Sequence, residues 1–309
     1  MKILVTGGAG MVGSHVVDEL ISDGHEVTAI DNLSTGRLEH LTPNSSLHFV
    51  EGSICDASLL RELGNQFGPF EVVVHTAAEY ADNSNWELQV QTNVLGTINV
   101  IRLAQSSNAR LVYFQTALCY GVNPDISPVP LDYPRQPMSS SYAISKTAGE
   151  FYVESSGLDF VTFRLANIVG PRNLSGAIPI FYKRVSEGQE CVISVAKRDF
   201  VDVRNLSLVV KQAVLGAGSG AYHFSSGKDS SIEEVFHLVV KRLKKENQAK
   251  FVLTRDAGGP SSILLDPTRT YADFAMPRVS TLQEIVDSAV DYYEKFGVTR
   301  EVTQMKQKK

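Results

Sequence analysis

Two residues that could exchange a proton lie at the start of a segment with helical periodicity. Tyr142 and Lys146 are four residues apart, so a helix would place the phenol and the ammonium on one face, one turn apart. A cation beside a tyrosine stabilises the phenolate and lowers the tyrosine pKa, which makes a base that works near neutral pH. Such a pair is common, and alone it would indicate a surface contact. Thr116, which ends a strand-like run upstream, adds a hydroxyl and makes the set more specific.

A glycine-rich turn joins the first strand-like run to the first helical one. Its sequence, Thr6-Gly7-Gly8-Ala9-Gly10-Met11-Val12-Gly13, contains G-x-x-G-x-x-G. Glycines there permit a tight turn and let the backbone approach a pyrophosphate, which faces the N–H groups of the helix N-terminus. A strand before the turn and a helix after it are the context that this motif requires. The turn predicts a dinucleotide site, against the alternative of a glycine turn that holds no ligand.

Asp31 indicates which dinucleotide is bound. It ends the second strand-like run, 18 residues after Gly13. A carboxylate at this place can accept hydrogen bonds from both adenosine ribose hydroxyls and would repel a 2′-phosphate, which favours NAD over NADP. Arg37 could serve a 2′-phosphate, but a solvated loop arginine is the simpler interpretation.

The elements that must position these residues alternate between two periodicities. Strand-like apolar runs cover 2–6, 26–30, 47–51, 71–75, 110–115 and 158–163. Helical patterns cover 11–22, 57–66, 84–106 and 141–156. This alternation predicts an α/β fold, a Rossmann-type doubly wound parallel sheet with helices on both faces.

The regular alternation of strand-like and helical segments ends after about residue 165. Prolines and glycines punctuate a stretch that we interpret as irregular, namely Gly170, Pro171, Gly176 and Pro179. Short helices are expected near 205–216, 231–246 and 281–296, with strand-like pieces at 192–195, 221–225 and 250–254. We expect residues 1–165 to form the dinucleotide-binding domain. Residues 166–309 are expected to form mainly a smaller C-terminal α/β domain that binds substrate, with some chain returning to the first domain.

The composition disfavours several other classes of protein. The 309 residues include 29 Lys+Arg and 34 Asp+Glu, and the net charge of −5 gives no general reason to expect nucleic acid or an anionic membrane as a partner. We find no signal peptide and no apolar run of about 18 residues, so a cytoplasmic protein without a transmembrane helix is expected. The cysteines, Cys55, Cys119 and Cys191, are odd in number and far apart, which disfavours disulfides and a zinc site. No metal site is predicted.

Taken together, these motifs resemble those of the extended short-chain dehydrogenase/reductase family, in particular its nucleotide-sugar epimerases and dehydratases. The resemblance covers nearly the whole chain. It is carried by residues 6–13, 31–34, 75–78, 92–97, the strand that ends at Thr116, Tyr142 with Lys146, 164–172 and 198–202. The strings YFQTALCYG and FRLANIVGPR are similar to those of a subgroup found in bacterial surface-polysaccharide clusters.

The resemblance implies a redox cycle on a sugar ring with NAD as cofactor. Tyr142 as phenolate would take the proton of the 4-hydroxyl while hydride passes from C4 to NAD+. Thr116 would hydrogen-bond the same oxygen, and Lys146 would bind the nicotinamide ribose. In a 4-epimerase the 4-keto sugar then turns over and receives hydride on its other face, so that no net redox occurs.

Matching positions also assign the binding residues. The cofactor would be bound by Gly7, Gly10, Met11, Val12, Gly13, Asp31, Asn32, Ser34, Gly36, Ser53, Ile54, Thr76, Ala77, Ala78, Tyr80, Asn93, Tyr142, Lys146 and Ile168. The substrate would be bound by Glu79, Thr116, Asn167, Arg172, Ile178, Val192, Arg198 and Arg255. Asn167 and Arg198 match the residues that contact the substrate pyrophosphate in the family. Ser53 stands where much of the family has an aspartate that binds adenine.

Several of these residues also have a simpler interpretation. Glu79 and Tyr80 could equally be solvated loop residues. Arg172 could pair with a uronate carboxylate or form a structural salt bridge. His75 is expected to be a structural core histidine, and Cys119 a small apolar packing residue.

The two residues after Thr116 bear on the reaction. In the resembling 4,6-dehydratases an acid pair follows the hydroxyl residue, and the decarboxylases keep a glutamate in the second of those places. Here the positions hold Ala117 and Leu118, neither of which can move a proton. We therefore predict a nucleotide-sugar 4-epimerase that acts on a UDP-sugar (a hexose, N-acetylhexosamine or uronate).

Other activities use much of the same site. The alternatives within the family are a 4,6-dehydratase, a decarboxylase and a 4-ketoreductase. An alternative of another class is a non-catalytic, NAD(H)-binding regulatory protein. The family further implies a homodimer, with 84–106 and 141–156 as candidate interface helices.

Overall fold

A computed structural model of the chain describes residues 1–138, 140–255, 262–276 and 278–298. The strands in these ranges are β1 (Lys2–Thr6), β2 (Glu26–Asp31), β3 (Leu47–Glu51), β4 (Val72–His75), β5 (Arg110–Thr116), β6 (Phe160–Leu165), β7 (Asn167–Val169), β8 (Cys191–Ser194), β9 (Lys197–Arg198), β10 (Phe200–Asp202), β11 (Gly220–Phe224), β12 (Ser230–Ser231) and β13 (Phe251–Thr254). The helices are α1 (Met11–Ser22), α2 (Ala57–Phe67), α3 (Trp86–Val90), α4 (Thr97–Ser107), α5 (Ser141–Glu154), α6 (Ala177–Ser186), α7 (Val203–Val214), α8 (Ile232–Arg242), α9 (Thr268–Asp273) and α10 (Leu282–Phe296). A π-helical turn, Gln91–Gly96, joins α3 to α4, and a 3₁₀ turn, Ala117–Tyr120, follows β5.

Seven parallel strands form the central sheet, in the order β11-β6-β5-β4-β1-β2-β3. β1 lies between β2 and β4, so that Ile3 is beside Val27 on one side and Val72 on the other. The strand order therefore reverses direction at β1 and β4. In open α/β sheets, ligands bind at such a point, outside the carboxyl ends of the strands. The glycine-rich turn follows β1 at this edge.

Apolar side chains pack on both faces of the sheet because strand residues alternate between the faces. Ile3 and Val5 of β1 lie in a core shared with α1 and α7. Leu4, between them, lies in a core shared with α2 and α4. All three side chains are fully buried. Helices thus cover both faces, and the prediction of a doubly wound parallel α/β sheet is confirmed.

The second half of the chain contributes to two cores. α7 packs in the core with α1, and β11 pairs in parallel with β6 at the edge of the central sheet. A separate core is built by α6, α8, α10 and β8, where the rings of Phe181 and Phe236 lie 5.4 Å apart and Tyr293 is buried. The division of the chain at residue 165 stays a prediction.

One element contradicts the interpretation of the sequence. The stretch around Pro179, interpreted as irregular, contains α6. Pro179 is the third residue of this helix, where the N–H that proline lacks would have no intrahelical acceptor. A proline in the first turn therefore marks the start of a helix here rather than its absence.

The other predicted elements are present, with ends shifted by four residues or fewer. The predicted helix at 84–106 begins at Trp86 and is interrupted by the π-helical turn. Within the described ranges, no helix is long and apolar enough to cross a membrane.

Candidate active site

The glycine-rich turn after β1 is shaped by contacts that exclude side chains. Gly7 has a φ of 66°, in the left-handed region that favours glycine, and its N–H donates to the Ile30 carbonyl at 2.8 Å. A Cβ atom on Gly7 would lie 2.7 Å from the backbone nitrogen of Ala77. A Cβ atom on Gly13 would lie 2.1 Å from the Gly7 carbonyl oxygen. The close packing of strand, turn and helix therefore requires glycine at both positions.

The first turn of α1 is suited to bind an anion. Gly10 is the N-cap residue and gives no side-chain hydrogen bond to this turn. Met11, Val12 and Gly13 carry no charge, and their N–H groups have no intrahelical acceptor. The positive end of the helix dipole lies at the same place. A dinucleotide pyrophosphate fits this cradle.

Asp31 is held at the end of β2 beside that turn. Its buried carboxylate accepts the Ala9 N–H at 3.0 Å and the Leu33 N–H at 2.8 Å. Burial raises the pKa of Asp31, and these hydrogen bonds oppose the rise. A Cβ atom on Gly36 would lie 2.7 Å from Asp31 Oδ1, so the loop passes close to the carboxylate. An acceptor fixed here fits the ribose of a dinucleotide.

Other predicted adenosine-side residues lie on the loops next to Asp31. Asn32 and Ser34 are exposed, and the Asn32 side chain accepts the Ser34 N–H at 3.1 Å. Ser53 Oγ accepts the Cys55 N–H at 3.2 Å, and Ile54 is buried in the core with α2 and α4. The cofactor contacts of these residues stay predictions.

Asn93 ties together three parts of the site. It lies in the π-helical turn, and π-helical turns are frequent at functional sites. Its side chain accepts the Glu79 N–H at 2.8 Å and donates to the Glu79 carbonyl at 2.9 Å. It also donates to Ser145 Oγ on α5 at 3.0 Å. The structure therefore shows Asn93 holding the loop after β4 against α5.

The loop after β4 is anchored at both ends. Thr76 Oγ1 donates to the Thr6 carbonyl at 2.7 Å, and Ala77 and Ala78 follow it, partly exposed. Burial raises the pKa of the Tyr80 phenol, and the nearby Thr35 and Ser175 side chains oppose the rise. Tyr80 thus lies near the loop after β2 and the segment before α6.

Lys146 lies in the interior of α5 with only 3% of its surface exposed. Its Nζ atom lies 4.1 Å from the centroid of the Tyr113 ring. The Tyr113 hydroxyl donates to the Lys146 carbonyl at 2.9 Å. Burial lowers the pKa of Lys146 from 10.5 to about 7, and the negative charge of Glu150 opposes that shift.

Tyr142 and Thr116 complete the predicted catalytic set. Tyr142 lies in the first turn of α5, which Ser140 caps by accepting the Ala143 N–H at 3.1 Å. Burial raises the pKa of Tyr142, and the nearby Tyr80 phenol adds to the rise. Thr116 lies at the end of β5, and its Oγ1 accepts the Leu118 N–H at 3.2 Å. A hydroxyl that accepts a hydrogen bond can still donate its own proton to a ligand.

A buried network of charges lies behind this set. Glu150, one turn beyond Lys146 on α5, is fully buried. Its carboxylate contacts Arg164 Nε at 2.9 Å and Arg135 Nη1 at 3.1 Å. It also accepts a hydrogen bond from Gln115 Nε2 at 3.1 Å. Each charge is paired, as burial requires.

The predicted substrate residues are spread over the second half of the chain. Asn167 is exposed on β7, and its N–H donates to the Asp199 carbonyl at 2.9 Å. Arg172, with a φ of 64°, pairs with Asp18 at 2.7 Å, so the structure shows a salt bridge to α1. Ile178 is 1% exposed and packs in the core of α6, α8 and α10.

The remaining predicted binding residues are more accessible. Val192 and Arg255 are exposed, whereas Ile168 and Arg198 are partly exposed. Thr116 lies at the end of β5 and Tyr142 with Lys146 in the first half of α5, whereas Ile178 lies inside a core. The substrate and cofactor roles of all these residues stay predictions.

Two further residues are placed as the sequence indicates. His75 is fully buried between Thr6 Oγ1 at 2.7 Å and Thr97 Oγ1 at 2.9 Å, and burial next to Lys146 lowers its pKa well below the ordinary value. Cys119 is fully buried, and burial raises its thiol pKa. The structure therefore shows His75 as a hydrogen-bonded core histidine and Cys119 as a buried packing residue.

The fold and the glycine-rich turn define a Rossmann-type dinucleotide-binding protein. Residues 3–216 match the model of the NAD dependent epimerase/dehydratase family. The chain belongs to this family of NAD-dependent enzymes.

Similar proteins extend the comparison over the whole chain. The structure of the Bordetella bronchiseptica enzyme WbmH in complex with NAD+ is 49% identical, with a TM-score of 0.91, and the match covers 96% of this chain and 99% of that one. WbmG of the same organism, in complex with NAD and UDP, is 39% identical with a TM-score of 0.88, over 97% and 96% of the two chains. A UDP-glucose 4-epimerase of Mycolicibacterium smegmatis is 30% identical over 95% of this chain and 98% of its own. Other relatives are named UDP-glucuronic acid decarboxylase 1 and dTDP-glucose 4,6-dehydratase.

Sequence reasoning missed the buried polar residues that support the site. Tyr113 and Gln115 alternate on β5 and both contact α5, a pattern that the two-residue period of a strand could have revealed. Glu150 continues the four-residue spacing of Tyr142 and Lys146 along α5. An acidic residue at that spacing signals a third group on the same helix face.

Proposed function

We propose that the chain is an NAD-dependent 4-epimerase of a nucleotide sugar, with a UDP-sugar as substrate. The observation that carries this proposal is the set of Thr116, Tyr142 and Lys146, held where β5 ends and α5 begins. Ala117 and Leu118 follow Thr116 and line the same turn. The set can exchange a proton with a sugar hydroxyl, whereas the two following residues carry no group that would assist elimination of water or decarboxylation.

The protein's own groups would act on the 4-hydroxyl. Tyr142 removes its proton, and Thr116 donates a hydrogen bond to the same oxygen. Burial disfavours an isolated charge on Tyr142 or Lys146, so a phenolate and an ammonium one turn apart compensate each other. When bound, NAD supplies the acceptor and then the donor of the hydride. Return of the proton from Tyr142 completes inversion at C4 with no net redox.

Similar proteins support the nucleotide-sugar part of the proposal. WbmG binds NAD and UDP in its crystal structure, and a 28%-identical Thermotoga maritima UDP-glucose 4-epimerase binds UDP-glucose. In this chain, exposed Asn167 and partly exposed Arg198 are assigned to the pyrophosphate. Guanidinium suits an anion of that geometry. We assign sugar-nucleotide binding mainly to residues 166–309.

We also propose a homodimer formed through the helices that carry the site. Large apolar side chains are exposed on the α3–α4 segment and on α5, namely Trp86, Leu88, Val90, Leu95, Ile144, Phe151 and Tyr152. A second copy of the chain, offering the same helices, would cover them in a two-fold interface.

Proton NMR of the purified protein with candidate substrates tests the reaction. UDP-glucose, UDP-N-acetylglucosamine and UDP-glucuronate are each incubated with catalytic NAD+, and the H4 couplings of the sugar are followed. Exchange of axial and equatorial H4 signals, with an intact nucleotide and no accumulation of NADH, is the expected result. Tyr142→Phe should abolish it.

Other outcomes select a different activity. A 6-deoxy-4-keto sugar or a pentose would contradict our interpretation of Ala117 and Leu118 and indicate a dehydratase or a decarboxylase. Accumulation of NADH would indicate a one-way oxidation. No reaction with a wider nucleotide-sugar panel, together with full biological effect of Tyr142→Phe, would indicate the non-catalytic regulatory protein.

A further inference from the structure

Gln115 connects the end of β5 to the middle of α5. Its side chain is 2% exposed. Its Oε1 atom accepts the backbone N–H of Thr116 at 2.8 Å, and its Nε2 atom donates to Glu150 Oε2 at 3.1 Å. Nε2 also lies 3.5 Å from Thr147 Oγ1 on the same helix. One amide group therefore joins the residue that carries the catalytic hydroxyl to the helix that carries Tyr142 and Lys146.

The helix end of this connection is fixed. Glu150 is fully buried and is held on its other sides by Arg164 and Arg135. A buried carboxylate with charged partners has little freedom to move without leaving one of them unpaired. Gln115 is thus attached to a rigid point in the core rather than to a mobile side chain.

The strand end of the connection controls a hydroxyl. Thr116 Oγ1 accepts the Leu118 N–H at 3.2 Å, so the direction of its proton depends on the backbone at the end of β5. The Thr116 N–H that Gln115 accepts belongs to that same backbone. Rotation or displacement of this peptide would move the hydroxyl relative to Tyr142, which is fixed on α5.

Resting on the 4-epimerase activity proposed above, we propose that Gln115 is a positioning residue that sets the place of the Thr116 hydroxyl relative to Tyr142. It contacts neither reacting group through its own chemistry. It acts by locking the strand and the helix into one unit through Thr116 and Glu150. A misplacement of about 1 Å in such a site can cost on the order of a hundredfold in rate.

Gln115→Leu removes all three side-chain hydrogen bonds, to Thr116, Glu150 and Thr147, while keeping similar volume. The control is Thr162→Val on the adjacent strand β6, because Thr162 is also fully buried and its hydroxyl has no hydrogen-bond partner among the residues that the structure describes. We expect Gln115→Leu to lower the single-turnover reduction of bound NAD+ by UDP-sugar about tenfold to a hundredfold. The KM for the UDP-sugar and the Kd for NAD+ should change less than about twofold, as expected for a loss confined to the transition state.

An isotope effect separates positioning from a loss of folded protein. With substrate deuterated at C4, the isotope effect on steady-state turnover should rise in Gln115→Leu, because hydride transfer then limits the rate. A smaller folded fraction would scale the rate and leave the isotope effect unchanged. Thr162→Val should match the wild type in both the rate and the isotope effect. An unchanged rate and isotope effect in folded Gln115→Leu would overturn the proposal.

Hydrogen exchange of the Thr116 amide gives a second readout that needs no substrate. In Gln115→Leu this amide should exchange about tenfold faster or more, because its acceptor is lost. If the wild-type protein turns over no nucleotide sugar, the proposed function fails. The exchange rate of the Thr116 amide then still shows whether Gln115 holds Thr116. An unchanged exchange rate in Gln115→Leu would contradict that contact. If the leucine variant does not fold, Gln115→Asn, which is too short to reach both partners, replaces it with the same expectations.

Discussion

The aromatic ring of Tyr113 lies under the ammonium group of Lys146, and the hydroxyl of the same tyrosine binds the backbone of that lysine. Nζ is 4.1 Å from the ring centroid, and the hydroxyl donates to the Lys146 carbonyl at 2.9 Å. Gly149 permits this approach, since a Cβ atom there would lie 2.7 Å from the Tyr113 hydroxyl oxygen. One residue of β5 therefore holds both the charge and the backbone of a predicted catalytic residue.

Replacement of Tyr113 should separate these two contacts. Tyr113→Leu removes the ring beneath the ammonium, and the loss of a cation–π contact of about 1 kcal/mol corresponds to a fall of about 0.7 units in the Lys146 pKa. Tyr113→Phe keeps the ring, so the pKa should stay within about 0.3 units of the wild type. The pKa is measured by NMR titration of ¹³C-labelled lysine, with Lys146→Met identifying the signal. Equal pKa values in the leucine and phenylalanine variants would contradict the role assigned to the ring.

The stability of the protein should depend on pH through Lys146. Burial lowers its pKa from 10.5 to about 7, so the unfolded chain binds more protons than the folded one between these values. The free energy of unfolding should therefore rise with pH across this window, relative to a Lys146→Met variant that lacks the group. Urea unfolding of both proteins without cofactor, from about pH 6 to 9.5, measures this difference. A difference that is flat or falls with pH would show that the amine is not desolvated in this way.

More of the fold than of the site could be predicted from the sequence. Ile3, Leu4 and Val5 form a continuous apolar run, and such a run is typical of a strand that is buried on both faces. The start of α6 is harder to predict because Pro179 signals an interruption as readily as a first helical turn. Local sequence does not distinguish the two, since the difference depends on the core that receives Ile178 and Phe181.

The supporting residues of the site depend on tertiary contacts in the same way. Tyr142, Lys146 and Thr116 are recognisable because their types and spacing suit one chemistry. Gln115 and Glu150 acquire their arrangement only when β5 and α5 are packed together. A pattern within one segment indicates which residues share a face, but not which buried partner they meet.

Replacement of Gly13 should weaken cofactor binding by more than its effect on protein stability explains. Gly13→Ala would place a Cβ atom 2.1 Å from the Gly7 carbonyl oxygen, so the turn or the first turn of α1 must shift. We expect the Kd for NAD+ to rise about tenfold or more, because the backbone N–H groups of this turn would no longer be aligned to bind the pyrophosphate. Isothermal titration calorimetry measures the affinity.

Gly24→Ala is the matched control for this substitution. Gly24 has a φ of 80°, and a Cβ atom there would lie more than 4 Å from its neighbours among the described residues. Its replacement therefore costs about 1 kcal/mol in stability without touching the turn. The control should lower Tm and leave the Kd for NAD+ unchanged. If both variants weaken NAD+ binding equally, the weaker binding results from lower stability and not from the altered turn.

The proposed homodimer should depend on the apolar side chains of α5 and the π-helical turn. Ile144 and Leu95 are exposed, at 45% and 52%. A glutamate at either position would place a charge against its symmetry-related surface, and an apolar interface does not tolerate an unpaired charge. We expect Ile144→Glu and Leu95→Glu to shift the protein from dimer to monomer at micromolar concentration. Sedimentation velocity over a range of concentrations measures the masses.

Leu215→Glu distinguishes this interface from a general effect of surface charge. Leu215 is 56% exposed at the end of α7, a helix that packs on the opposite face of the central sheet from α4. This control should remain a dimer. A wild-type protein that sediments as a monomer at all concentrations would contradict the proposed dimer, and dissociation by Leu215→Glu alone would place the interface on the face formed by α1 and α7. Helix α5, which carries Tyr142 and Lys146, would then lie outside the interface, and contacts within the chain, from β5 and from Asn93 of the π-helical turn, would hold it.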